Sequence, residues 1–158
     1  MDIISKLKEN NLLGRGGASF PTGQKWEVVK NETADKKYVV CNSSEGEPEV
    51  FKDRYIWENY PEEVINGIKV ALETIDNSEA IIYLNKNYFE KFEKRLKELI
   101  GSLKITLFKK TVGYLGGEET VLCNIIEGKI AEPRQKPPFP SQSGIFNYPT
   151  LINNVETF

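Results

Sequence analysis

Residues 104–128, KITLFKKTVGYLGGEETVLCNIIEG, carry the pattern that decides the fold. Residues 104–108 alternate polar and apolar, as a strand with one face in a core does. Gly113, Gly116 and Gly117 then open a turn, and Val121, Leu122, Ile125 and Ile126 recur behind it at helical spacing. Strand, glycine turn and helix in that order make one unit of an α/β layer. Such a turn delivers backbone N–H groups to a helix N-terminus, where a ligand can sit. Glu118 and Glu119 fall in the first helical turn. Acids there stabilise the helix by a few tenths to about 1 kcal/mol. They are equally suited to donors on a ligand, such as sugar hydroxyls, a ring N–H or an amide.

Working upstream, the same alternation of elements repeats. Residues 61–75 predict an amphipathic helix, with Pro61 at its first position and Val64, Ile65, Ile68, Ala71, Leu72 and Ile75 in one stripe. Residues 79–84 (EAIIYL) and 37–42 (KYVVCN) are short apolar runs that read as buried strands. Residues 88–100 form a second amphipathic helix stopped by Gly101, and residues 2–10 a short one at the N-terminus. Strands alternating with helices on short connections predict an α/β fold with a mainly parallel sheet flanked by helices. Downstream of Ala131 the chain is rich in proline and reads as an extended surface segment, with Pro137-Pro138 in polyproline geometry. Asn153-Asn154 are placed to meet a phosphate or to cap a helix starting near Val155.

A second glycine cluster lies in residues 12–26, LLGRGGASFPTGQKW. Gly14, Gly16 and Gly17 let backbone N–H groups turn inward around negative charge, and Arg15 and Lys25 supply mobile positive charge at either end. Phe20 adds an exposed ring, so the loop suits a phosphorylated ligand with a flat ring. The loop approaches a G-x-G-x-x-G fingerprint, but it follows a helix and runs into a proline, which is the wrong context for a dinucleotide turn. Residues 43–49, SSEGEPE, form an acidic loop at the carboxyl end of the first strand, where ligands of open α/β sheets gather.

Composition narrows the chemistry. At 158 residues the chain makes one domain, with 21 Lys plus Arg against 23 Asp plus Glu, so no global basic field invites nucleic acid. No apolar run is long enough to span a membrane, and the N-terminus lacks a signal-peptide core, so a cytoplasmic location is expected. Histidine is absent, which removes Ser-His and Cys-His nucleophiles and argues against an ordinary zinc site. Cys41 and Cys123, far apart, read as inert buried thiols and are too few for an iron–sulfur cluster. Any catalysis then rests on a cofactor's chemistry.

Five stretches in order, GRGGASFPTGQKW, CNSSEGEPEVFKDR, GYLGGEETVLCNIIEG, PRQKPPFP and PTLINNVETF, together resemble the FMN-binding domain of the NADH-oxidising flavoprotein subunit of respiratory complex I. The diaphorase subunits of NAD-linked hydrogenases and formate dehydrogenases share the pattern. The resemblance implies a Rossmann-like domain that holds FMN, accepts a hydride from NADH and passes electrons to iron–sulfur partner subunits: an FMN-dependent NADH dehydrogenase (diaphorase) half-reaction. It implies that Gly14, Arg15, Gly16, Gly17 and Lys25 approach FMN, the charges near its phosphate. Asn42, Ser44 and Glu45 would approach the ring, Gly117, Glu118 and Glu119 the ring or ribityl chain, and Asn153 and Asn154 the phosphate end. Phe20, Glu47, Glu119, Lys136 and Phe139 would hold NADH, the two rings by stacking on adenine, with NAD favoured over NADP.

Three positions depart from the family pattern. Ser44 stands where the pattern has Asp, and Ser19 and Glu49 stand where it has glycine. The family also continues past NNVET into a ubiquitin-like domain and a helical domain with a CxxCxxC cluster site, whereas residues 1–158 are expected to comprise the FMN/NADH-binding domain alone. The alternative reading is a degenerate or truncated homologue acting as a non-catalytic assembly or NAD(H)-sensing subunit.

Overall fold

The computed structural model describes residues 2–158. Four strands, β1 (Lys37–Ser43), β2 (Ser78–Leu84), β3 (Ile105–Lys109) and β4 (Thr150–Asn154), form one all-parallel sheet in the order β3-β2-β1-β4. Strand side chains alternate between faces, so the sheet supports two cores. Val39, Cys41, Ala80, Ile82, Leu84 and Leu151 face one; Tyr38, Val40, Ile81, Tyr83 and Ile152 face the other.

The first core is closed by α1 (Ile3–Glu9), α2 (Thr22–Asn31), α3 (Lys52–Asn59), α4 (Pro61–Thr74) and α5 (Lys86–Ile100), through Ile4, Trp26, Trp57, Ile68 and Phe92 among others. The helix α6 (Glu119–Ile126) and Ile145 close the second. From β1 to β3 the chain steps outward strand by strand with its helices on the first face. It then returns past β2 and β1 along the second face to reach β4. The strand order therefore reverses between β1 and β4, the position at which open α/β sheets leave a crevice at their carboxyl ends.

Local chemistry sets the element boundaries. Asn85 caps α5 by accepting from the Tyr88 N–H at 2.9 Å, and Gly101 ends it at φ +53°. Glu118 caps α6, its carboxylate accepting from the N–H groups of Thr120 and Val121, each at 2.9 Å. On the return crossing Arg134 donates to Glu127, Asn124 and the Gly144 carbonyl, which anchors the segment leading to β4.

The proline-rich tail departs most from the sequence expectation. It is not an extended surface segment throughout: residues 140–143 form α7 (Pro140–Ser143), and Thr150–Asn154 is the fourth strand, with four of its five residues buried. The bonds before Pro137 and Pro138 are both cis, unlike the trans bonds of polyproline. Asn154 does act as a cap, accepting from Glu156 N–H at 3.1 Å, but over a short 3-10 turn, Val155–Thr157. Helices α2 and α3 were not foreseen, and a 3-10 turn (Tyr114–Gly117) precedes α6. Both cysteines are free and buried; desolvation pushes the Cys41 thiol well up and that of Cys123 up to about 12, so neither is a nucleophile. Among the described residues no helix is long and apolar enough to cross a membrane, and no group of side chains is arranged for a metal.

Candidate functional site

The site is built where the carboxyl ends of β1 and β4 meet the glycine loop. Residues 14–20 leave and rejoin the fold at one point: Leu13 bridges Pro21, and the Gly14 N–H donates to the Phe20 carbonyl at 2.9 Å. The Arg15 N–H donates to Thr157 Oγ1 at 3.1 Å, which lays the loop over the turn after β4. Gly16 faces Asn154, to whose Cβ an added methyl would come within 3.6 Å, and Gly17 sits at φ +106°, where side chains are rarely tolerated.

Asn42 and Asn154 knit the two strand ends to the third motif. Asn154 Nδ2 donates to the Asn42 carbonyl at 3.3 Å, and Asn42 Nδ2 donates to the Gly117 carbonyl at 3.1 Å. Ser44 donates its N–H to Asn42 Oδ1 at 3.3 Å. A Cβ on Gly117 would stand 2.8 Å from Ser44 Oγ, closer than real contacts allow, so only glycine lets the two segments pack this closely. Five segments far apart in sequence, residues 14–20, 42–47, 114–119, 136–139 and 153–157, therefore make up or border this edge of the sheet.

The charges expected to face a ligand are already paired. Lys25 is not a mobile charge: its ammonium donates to Glu119 at 2.7 Å and to the Ile152 carbonyl at 3.1 Å, and lies 5.8 Å from the Phe20 ring centroid. Lys136 donates to Glu118 at 2.7 Å. Burial alone would raise Glu118, but hydrogen bonds from Lys136, Thr120 and the Val121 N–H outweigh it and hold the carboxyl below its ordinary range. Arg15 keeps its freedom, with a side chain 60 % exposed and only a 3.7 Å contact to Glu156.

Two expected ligand residues are turned to structural partners. Glu45 accepts from Tyr88 Oη at 2.6 Å and from the Asp53 N–H at 3.1 Å. Asn153 lies buried against α2; in the amide orientation that satisfies both neighbours it accepts from Trp26 Nε1 at 2.8 Å and donates to the Ile152 carbonyl at 3.1 Å. Glu47 remains at the surface and accepts from Tyr114 Oη at 3.0 Å, while Phe20 and Phe139 present exposed rings.

Sequence reasoning missed Tyr114, Lys52 and Asp53. Tyr114 is largely exposed beside Glu47, and its place in the glycine turn was the available signal. Asp53 is 2 % exposed, accepts from Lys52 at 2.7 Å and receives Asn154 Nδ2 on both oxygens at 3.3 and 3.4 Å. Burial, more than anything around it, raises its carboxyl above the ordinary aspartate range despite Lys52. Nothing local in FKDR marks that buried role. A separate cavity of about 480 Å³ between α1 and α2, lined by Leu7, Leu12, Pro21, Gly23 and Val28 among others, shares none of these side chains.

Known proteins resemble this chain over nearly its whole length. Residues 7–158 match the model of a family described as the Nuo51 FMN-binding domain. The chain is 40 % identical to the F 2 subunit of the NADH-quinone oxidoreductase of Rhizobium meliloti, over 99 % of this chain and 41 % of that protein. It is 38 % identical to the alpha subunit of the NAD-reducing hydrogenase HoxS of Cupriavidus necator, over 99 % of this chain and 29 % of that one. A crystal structure of an air-oxidised NAD⁺-reducing [NiFe]-hydrogenase superimposes with a TM-score of 0.90 at 34 % identity, covering 98 % of this chain and 28 % of the matched chain. The chain thus spans about two fifths or less of the length of these relatives.

Proposed function

Because the chain belongs to the Nuo51 FMN-binding domain family, we propose that its groove binds FMN and takes a hydride from NADH, for onward electron transfer to an iron–sulfur partner subunit. One observation carries the reading: Asn42 and Asn154 tie the carboxyl ends of β1 and β4 to the Gly117 backbone, beside the loop of Gly14, Gly16 and Gly17. A Cβ on Gly117 would press on Ser44 Oγ at 2.8 Å and one on Gly14 would stand 3.3 Å from the Phe20 carbonyl, so both glycines let their segments pack closely, while Gly17 faces open space.

Bound FMN supplies the hydride-accepting ring, and such a transfer needs no protein acid or base, consistent with a chain without histidine. The Gly16 and Gly17 N–H groups and the Arg15 side chain would hold the phosphate, with Lys25 released to it from Glu119. Asn42, Ser44 and the Gly117 backbone would fix the ring. Glu45 contributes through its backbone, since its carboxylate is committed to Tyr88 and Asp53. Phe20, Phe139 and Tyr114 would cover the nucleotide and exclude water, and Glu47 and Glu119 would accept from its sugar hydroxyls. The protein's contribution is alignment and electrostatics.

The test is an absorption spectrum taken after adding FMN and desalting, and again after anaerobic NADH. A retained flavin band that NADH bleaches supports the whole reading. Flavin retained but not bleached refutes the hydride step, and no retained flavin refutes the site.

A further inference from the structure

Among the described residues two lysines are buried, and they differ in one respect. Lys37, 1 % exposed, is neutralised by Asp76 at 2.8 Å and also donates to the Lys30 carbonyl. Lys110, 6 % exposed, donates to the Ser44 carbonyl at 3.0 Å, and among the described residues no carboxylate lies within ion-pairing distance. An ammonium held away from water without a counter-charge is costly, and it persists where the fold or a ligand gains from it.

Its placement is specific. Lys110 follows β3 directly, and its N–H donates to the Leu84 carbonyl at 2.7 Å, so its backbone belongs to the sheet edge. Its stem occupies room left by Gly116, where a Cβ would come within 2.9 Å of Lys110 Cε, and its Nζ would stand in ordinary contact, 3.9 Å, with a Cβ on Gly46. The ammonium thus lies between the loop of residues 44–46 and the turn of residues 114–117, the two segments that frame the proposed ring site. By donating to the Ser44 carbonyl it also polarises the Ser44–Glu45 peptide and strengthens that peptide's N–H as a donor.

We propose that Lys110 is an electrostatic positioning residue, an unneutralised cation beneath the ring site that favours reduced over oxidised FMN. The inference rests on the flavin-binding reading. Its chemistry is simple: near neutrality the two-electron-reduced ring carries a negative charge that the oxidised ring lacks, and a nearby buried cation selects for it.

The experiment compares the wild-type chain with Lys110→Met and Lys110→Arg. Dissociation constants are measured anaerobically for oxidised FMN and for dithionite-reduced FMN, alongside thermal melts without flavin. Lys110→Met should lower the preference for the reduced form at least tenfold, a fall of about 30 mV for a two-electron couple. Its flavin-free melt should be unchanged or higher, because a buried charge has been removed. Lys110→Arg should keep most of the preference. Equal losses for both oxidation states, or a lower melt with an unchanged preference, would show a structural prop and overturn the inference alone. Failure of the wild-type chain to bind FMN in either state would overturn both this inference and the flavin reading.

Discussion

The glycine loop and the acidic loop each contain one residue in left-handed backbone that is not glycine: Ser19 at φ +50° and Glu49 at φ +66°. Both side chains are exposed, so neither contributes packing to offset the conformation. A side chain there costs about 1–2 kcal/mol. Glycine would remove that cost but returns about 0.5–1 kcal/mol through the freer unfolded chain. Ser19→Gly and Glu49→Gly should each stabilise the protein by about 0.5–1 kcal/mol. In a chain of this size each kcal/mol moves Tm by roughly 2–4 °C, so the double variant should melt about 2–8 °C higher. Lys94→Gly, at an exposed interior position of α5, is the control and should lose about 1 kcal/mol. Differential scanning calorimetry of the parent and four variants decides the matter. If Ser19→Gly and Glu49→Gly melt no higher than the parent while Lys94→Gly melts lower, the two loops are not strained and the reasoning fails.

Three further outcomes are expected. Gly117→Arg should abolish FMN retention with an unchanged circular dichroism spectrum; unaltered flavin content would place the site elsewhere. Glu47→Gln should weaken NADH binding roughly tenfold, about 1.4 kcal/mol, and leave FMN binding within about twofold, with the reverse pattern refuting the division of roles. Asp53 has its carboxyl raised by burial, so the folded state holds that proton more tightly than the unfolded one. The resulting stability is full below the ordinary aspartate value of roughly 4 and is lost as pH rises through the folded value. Urea titrations should therefore show Asp53→Asn gaining on the parent as pH rises from about 4 to 7, and a difference independent of pH would refute it.

How much of this was legible depends on how far each element carries its own signal. The strands β1 and β2 and the helices α4 and α5 announce themselves because each buries an apolar run or a wide stripe, and β3 by its alternation ahead of a glycine turn. Helix α2 buries only Trp26 and Val29 among its apolar side chains, too thin a stripe for its period to show. Helix α3 spends one of its two buried positions on Asp53. The strand β4 hides because TLINN is short, polar at its end and preceded by prolines, and its burial comes from pairing with β1 and from Trp26 closing on Asn153. The structure brings most of the motif residues together at the sheet's carboxyl edge, as the parallel topology requires. The pairings of Lys25 with Glu119 and of Lys136 with Glu118 join residues 94 and 18 positions apart, and no local pattern encodes them.

Those pairings also shape how a ligand arrives. Lys25 with Glu119, Lys136 with Glu118, Lys52 with Asp53 and Arg15 with Glu156 each present a positive charge beside a negative one. At physiological ionic strength the screening length is about 8 Å, and beyond it such couples cancel. Beyond that length these four couples add no attracting field for an anion approaching from solution. Association at a site framed by such couples should depend little on added salt, and each cation becomes available only as its partner is displaced.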